Sequence, residues 1–132
     1  MTQTLAETRA ALIVSSEVIS GQQVADKLQI EPSKIFTKGD LVGTDETSRH
    51  PLNIVMFSSG VGTDKELEKH IEAILDFCEP RKKHFRELKR SCRSVIHCSY
   101  YVGDQGGWTL SPRLCRRMAS MSLEFVFNVE HR

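Results

Sequence analysis

Along this 132-residue chain, apolar residues recur with period two in some stretches and with period three to four in others, and the switches between the two mark its elements. "RAALIVSS" (9–16) is short, apolar and bounded by polar residues, the pattern of a mostly buried first strand. In "VISGQQVADKLQI", Ser20 and Gln23 form a capping-box pattern, Ile19 and Val24 stand as a hydrophobic staple, and Val24 and Leu28 share one face. These features predict a short helix over about 20–29. "EPSKIFTKGD" carries a brief strand around Lys34 to Lys38, "LVGTDETSRH" is polar and turn-rich and reads as a mobile loop, and "PLNIVMFSSG" supplies the next strand.

The longest helical pattern is "DKELEKHIEAILDFCEPRKKHFRELKR", with Leu67, Ile71, Ile74, Leu75 and Cys78 at helical spacing. Pro80 interrupts it, and proline suits the first turn of a helix but not its interior. The reading is therefore two helices, about 64–78 and 80–91, the second burying Phe85 and Leu88. "RSVIHCSYYV" then alternates as a strand, with Ile96, Cys98, Tyr100 and Val102 on one face and Val95, His97, Ser99 and Tyr101 on the other. "DQGG" turns the chain, Ser111 caps a helix with Pro112 at its first position, and "SLEFVFNVE" is a last strand with Leu123, Phe125, Phe127 and Val129 on one side.

"ISGQQVADKL" and "LSPRLCRRMA" are two versions of one unit, an aliphatic residue, a capping serine and a short amphipathic helix between strands. This weak strand-helix-strand repeat predicts an α+β fold over residues 1–132, a single domain with helices packed on one face of a mainly antiparallel sheet, as in ferredoxin-like folds.

Composition changes the picture little: 39% hydrophobic and 27% charged residues are those of an ordinary globular chain. No apolar run approaches the ~20 residues that span a bilayer, and "MTQTLAETRA" lacks the basic start and apolar core of a signal peptide, so the cytoplasm is the expected compartment and no membrane is implied. Cys78, Cys92, Cys98 and Cys115 are then expected to be free thiols. Charge adds more. Residues 1–80 hold seven Lys/Arg against thirteen Asp/Glu, a balance of −6, while residues 81–132 hold eleven against four, a balance of +7. Folding is expected to interleave the halves and largely cancel their fields.

"LQIEPSKIFTKGD", "LEKHIEAILDFCEP" and "LSPRLCRRMASMSLEFVFNVE", in this order and spacing, resemble the bacterial proteins grouped as domain of unknown function 4279. The shared marks are I-x-P followed by K-G-D, a helix of the form L-x-x-H-I-x-x-I-L, and a serine-capped helix leading into the final strand. The family pattern carries a tryptophan in the strand after the K-G-D loop, where this chain has "NIVMF". The resemblance brings no activity with it. It implies a stand-alone bacterial domain, a class that includes toxin-neutralising partner proteins.

Catalytic and metal chemistry find little footing. His97 and Cys98 are adjacent on a strand and point to opposite faces, and Cys92, Cys115 and His70 have no C-x-x-C or H-x-x-x-H company, so no metal and no cofactor is expected. There is no G-x-S-x-G and no constrained pair of carboxylates. "SSGVGTDKE" places Gly60 and Gly62 before a helix start, but without the lysine and length of a P-loop it reads as a strand-to-helix turn capped by Thr63 or Asp64. His70 is expected to make an internal hydrogen bond at the helix-sheet boundary, with contact to a ligand as its alternative role.

Two features remain as partner sites. "RKKHFRELKRSCR" packs seven basic residues into thirteen positions, and with Phe85, Leu88 and Cys92 as the buried edge, Lys82, Arg86, Lys89 and Arg93 share one flank. That stripe would suit nucleic acid, but the near-neutral chain, the lack of interleaved aromatics and the thirteen acids upstream favour a solvated basic face or one that meets acids on another protein. Trp108, after Gly106 and Gly107, is either a binding-loop anchor or a residue buried against the sheet, and the packed helix start at Leu110 and Ser111 favours burial. An unrecognised enzyme or small-ligand sensor with a pocket near Tyr101, Trp108 and His70 is the further alternative. The sequence thus predicts a non-enzymatic binding protein whose partner is another protein, possible toxins included, with Lys82, Arg86, Lys89, Arg93, Tyr101 and Trp108 as contact residues.

Overall fold

The computed structural model describes residues 7–102 and 108–131. In chain order its elements are β1 (Glu7–Ser16), α1 (Gly21–Leu28), β2 (Lys34–Phe36), β3 (Leu41–Val42), β4 (Asp45–Arg49), β5 (Asn53–Ser58), α2 (Leu67–Cys78), a 3₁₀ turn (Glu79–Arg81), α3 (Lys82–Leu88), β6 (Arg93–Val102), α4 (Pro112–Ser120) and β7 (Glu124–His131). The main sheet runs β2-β5-β1-β6-β7, antiparallel at every step except the parallel pair β6–β7. The chain is therefore an α+β fold on a mainly antiparallel sheet.

Period-two alternation sorts the strands into a core face and an open face. On the core face lie Leu12 and Val14 of β1, Val55 and Phe57 of β5, and Ile96 and Cys98 of β6. Val24 and Leu28 of α1, Ile71, Ile74 and Leu75 of α2, Leu88 of α3, and Leu114 and Met118 of α4 close over them. Each such side chain contributes about 1.5–3 kcal/mol relative to exposure, so this single layer carries most of the fold's stability.

Both serine caps form. Gln23 N–H donates to Ser20 Oγ (3.1 Å) while Ser20 N–H donates to the Gln23 amide oxygen (2.9 Å), a complete capping box. At α4, Leu114 N–H donates to Ser111 Oγ (3.3 Å), with Pro112 in the first turn. The caps repeat, but the connections do not: α1 joins β1 to β2, which has β5 between it and β1, whereas α4 joins the adjacent strands β6 and β7. Gly21 opens α1 because a Cβ there would stand 2.9 Å from Ile35 and 3.1 Å from the Ile54 carbonyl, so the helix start rests directly on β5.

Four expectations are corrected. "LVGTDETSRH" is no strandless loop but the β3–β4 hairpin. Leu41 pairs with Arg49 and Val42 with Asp45, Gly43 turns with positive φ, and Gly39 N–H to His50 O with His50 N–H to Asp40 O (both 2.9 Å) closes the base. Its pairing comes from backbone bonds, with little apolar alternation to announce it. The long helix begins at Leu67 rather than residue 64, its N-cap being Glu66 in extended conformation rather than Thr63 or Asp64. Thr63 is held elsewhere, its carbonyl accepting from Thr8 N–H (2.9 Å). The strand expected at Lys34 to Lys38 ends at Phe36, since Lys38 N–H is taken by the Asn53 side chain (2.9 Å). Pro80 falls within the 3₁₀ turn and α3 ends at Leu88, shorter than the expected 80–91. The "DQGG" turn lies outside the described residues.

Two contacts set where α3 sits. Arg81 donates from Nε to the Leu28 carbonyl (2.6 Å) and from a terminal nitrogen to Phe77 O (2.8 Å), satisfying helix-end carbonyls of α1 and α2. Ser16 Oγ donates to Ser91 O (2.6 Å), fixing the end of β1 to the start of β6.

Candidate functional site

The short helix α3 buries Phe85 and Leu88, which leaves Lys82, Arg86 and Lys89, four and three positions apart, together on one flank. That flank is one wall of an open groove of about 610 Å³. Cys92 and the start of β6, Arg93 and Ser94, line it next, and the turn from α4 into β7, with Met121, Leu123 and Glu124, supplies the other side. The structure thus brings together all four basic residues that the sequence had singled out there. Arg93 is already engaged: its guanidinium forks onto Glu124 at 2.6 and 3.1 Å. That bidentate contact holds the Glu124 carboxyl below the usual carboxylate range and raises Arg93. Lys82, Arg86 and Lys89 enter no ion pair with the described residues. Lys82 feels the charge of Glu79, but Glu79 is bound by Arg117 Nε at 3.1 Å. Arg81, counted with the basic run, is taken up by carbonyls of the fold.

The expected cancellation of the two charged halves is partial. Arg117 pairs with Asp76 (2.9 Å) and Glu79, Arg113 with Glu72 (3.4 Å), and Lys27 with Glu87 (2.7 Å), each joining one half to the other. The α3 stripe is among the charges those pairs leave over.

A second cavity, about 530 Å³, lies at the far end of β6, lined by Thr8, Tyr100, Trp108 and the approach to α2 with Asp64, Glu66 and Glu68. Trp108 is 47% exposed, against the expectation of burial. Its ring lies 4.5 Å from Phe127, which itself stacks toward Tyr100 and Phe125 at 6.1 Å each. Phe127 sits on β7, an edge strand with no further strand to cover the indole, so leaning on the sheet leaves half the ring in solvent. Leu110 and Ser111 are anchored as expected, Ser111 N–H donating to Glu68 Oε2 (3.2 Å), but this anchor does not reach Trp108. Gly106 and Gly107 lie outside the described residues. Tyr101 points to the open face of the sheet, opposite Tyr100, so it does not share the cavity with Trp108. Tyr100, missed as a site residue, takes that place; its position in the same alternating set as Ile96 and Cys98 was the available sign.

His70 is 1% exposed and lines neither cavity. Its Nδ1 shares a 2.7 Å hydrogen bond with Ser59 Oγ, and Nε2 has no partner of normal geometry. Burial pulls its pKa below the ordinary histidine value, opposed by the Gly62 backbone and the Asp64 charge. Ser59 Oγ also accepts from Val61 N–H (3.2 Å), so the pair ties the β5–α2 connection to the helix. All four cysteines are free, and burial pushes the thiols of Cys78 and Cys98 up to about 12, far from a nucleophilic thiolate at neutral pH. Among the described residues no helix is long and apolar enough to cross a membrane.

Neither the curated proteins nor the solved structures contain a match to this sequence. One family model does match, over residues 6–131, and with nearly the whole chain covered the protein belongs to the family described as a domain of unknown function (DUF4279).

Proposed function

We propose that this protein is a binding module, without catalytic function, that engages an acidic segment of another protein in the groove between α3 and the α4–β7 turn. One observation carries the reading: Lys82, Arg86 and Lys89 line a groove together with Phe85, Met121 and Leu123, and among the described residues no acid pairs with them. Three like charges on one helix flank repel one another, so their grouping costs stability that a bound partner would recover. Neutralisation of a toxin, the role implied by the family resemblance, would be one use of such a groove.

Nucleic acid suits the groove less well. From Lys82 to Lys89 the stripe is only about 10 Å long at 1.5 Å per residue, too short to track a backbone over several phosphates. Glu124 lines the groove with it, and Phe85, the aromatic residue in the lining, is buried and offers no face for a base to stack on. Calorimetric titration with a glutamate-rich peptide and with a single-stranded oligonucleotide of equal charge, at ~150 mM salt, tests the reading. The peptide is expected to bind more tightly. Tighter binding of the oligonucleotide would replace the protein partner with nucleic acid, and binding of neither would remove the proposal.

A further inference from the structure

The two walls of the groove differ in chemistry, and their spacing constrains what can lie between them. On the α3 wall, Lys82 and Arg86 are about 6 Å apart along the helix axis, and Arg86 and Lys89 about 4.5 Å. The facing wall is apolar at Met121 and Leu123, both almost buried, so it offers a shallow contact rather than a deep pocket. In an extended peptide, side chains two positions apart point the same way and recur about every 6.6 Å, while the residue between them points to the opposite side. The first spacing matches the Lys82–Arg86 interval.

We infer that the groove recognises an extended acidic–apolar–acidic tripeptide within the partner, its two carboxylates meeting Lys82 and Arg86 and its central aliphatic side chain resting on Met121 and Leu123. This rests on the groove being the binding site and adds the order of residues that it reads. Arg86, centred in the stripe with a guanidinium that can take a carboxylate bidentately, is the chief determinant, and Lys89 continues the positive field beyond it. The Arg93–Glu124 pair limits the groove at one side: its arginine is spent, and its carboxylate repels an acid placed beyond the apolar position.

Blocked peptides of one composition and two orders separate the parts of this proposal. The sequence Gly-Asp-Leu-Glu-Gly places both carboxylates on one side of an extended chain, whereas Gly-Leu-Asp-Glu-Gly places them on opposite sides. Calorimetry with the full-length protein is expected to show the first binding about tenfold more tightly, the effect of one charge-assisted hydrogen bond. Replacing leucine by serine in the first peptide should weaken it several-fold, and Arg86→Glu in the protein should abolish the preference while leaving the melting temperature unchanged. Equal affinity of the two orders, with both lost in Arg86→Glu, would overturn the order-reading inference while leaving the acidic-partner reading intact. Failure of every acidic peptide to bind would remove both.

Discussion

The two ends of β6 are used differently. At its start, Arg93 and Ser94 border a groove whose other cations, Lys82, Arg86 and Lys89, make no ion pair with the described residues; at its end, about 20 Å away by strand rise, Tyr100 borders a cavity whose groups are mostly committed to holding the structure. Tyr100 and Phe127 stack, and Glu68 is bonded to the start of α4. Asp64 pairs with Lys65 at 3.6 Å, and the acids beside the first turn of α2 offset the positive end of the helix. A charged or aromatic lining is therefore not in itself a sign of binding. What separates the two ends is whether the lining groups already have partners inside the chain.

The largest losses of stability are expected at the aromatic end. Tyr100→Ala should cost about 3 to 4 kcal/mol, as for other buried large aromatics. Trp108→Ala, removing a half-exposed ring, should cost only about 1 to 2 kcal/mol. Equilibrium denaturation of the two variants checks the difference, and a larger loss at Trp108 would reverse the reading of that end. Ser111→Ala should follow at about 1 kcal/mol, the usual effect of losing an N-cap hydroxyl.

His70 lies beside the connection that walls the aromatic cavity, and its folded pKa is depressed below 6.5. Above 6.5 its contribution to stability is complete; as pH falls the unfolded chain takes up the proton first, so that contribution is lost. Denaturation midpoints should fall below pH 6.5, and His70→Gln should flatten that limb. The buried Cys98 acts in the opposite direction: its folded pKa rises from 9.0 to about 12, so its contribution is complete below 9 and lost as pH climbs toward 12. Cys98→Ala should flatten the alkaline limb, whatever its effect at neutral pH. An unchanged slope in either variant would contradict the burial assigned to that group.

Much of the fold was legible because its determinants are local. Ser20 with Gln23, Ser111 with Pro112, and the two faces of β6 are settled by neighbours a few positions away. The β3–β4 hairpin was not, because its strands are joined by backbone pairing and carry almost no apolar alternation to read. The stripe of Lys82, Arg86 and Lys89 was visible in the spacing, but its opposite wall, Met121 and Leu123, comes from another part of the chain, and so does Glu124, the residue that engages Arg93 across 31 positions. Trp108 misled because the sequence ties it to a packed helix start without revealing that the strand beneath, β7, ends the sheet.

The smallest expected effect on stability bears most directly on function. If the stripe is unused by the fold, Lys82→Ala/Arg86→Ala/Lys89→Ala should leave the melting temperature unchanged or slightly raised, since exposed substitutions stay within about 0.5 kcal/mol and removal of like charges relieves repulsion. The decisive measurement is the affinity of one acidic peptide, Gly-Asp-Leu-Glu-Gly, for three proteins: the native chain, this triple variant, and Asp64→Ala/Glu66→Ala at the other end of β6. We expect affinity to be lost in the triple variant alone, with all three proteins folded. Equal affinity in the native chain and the triple variant would contradict the central claim that Lys82, Arg86 and Lys89, which no acid among the described residues pairs with, form the partner site.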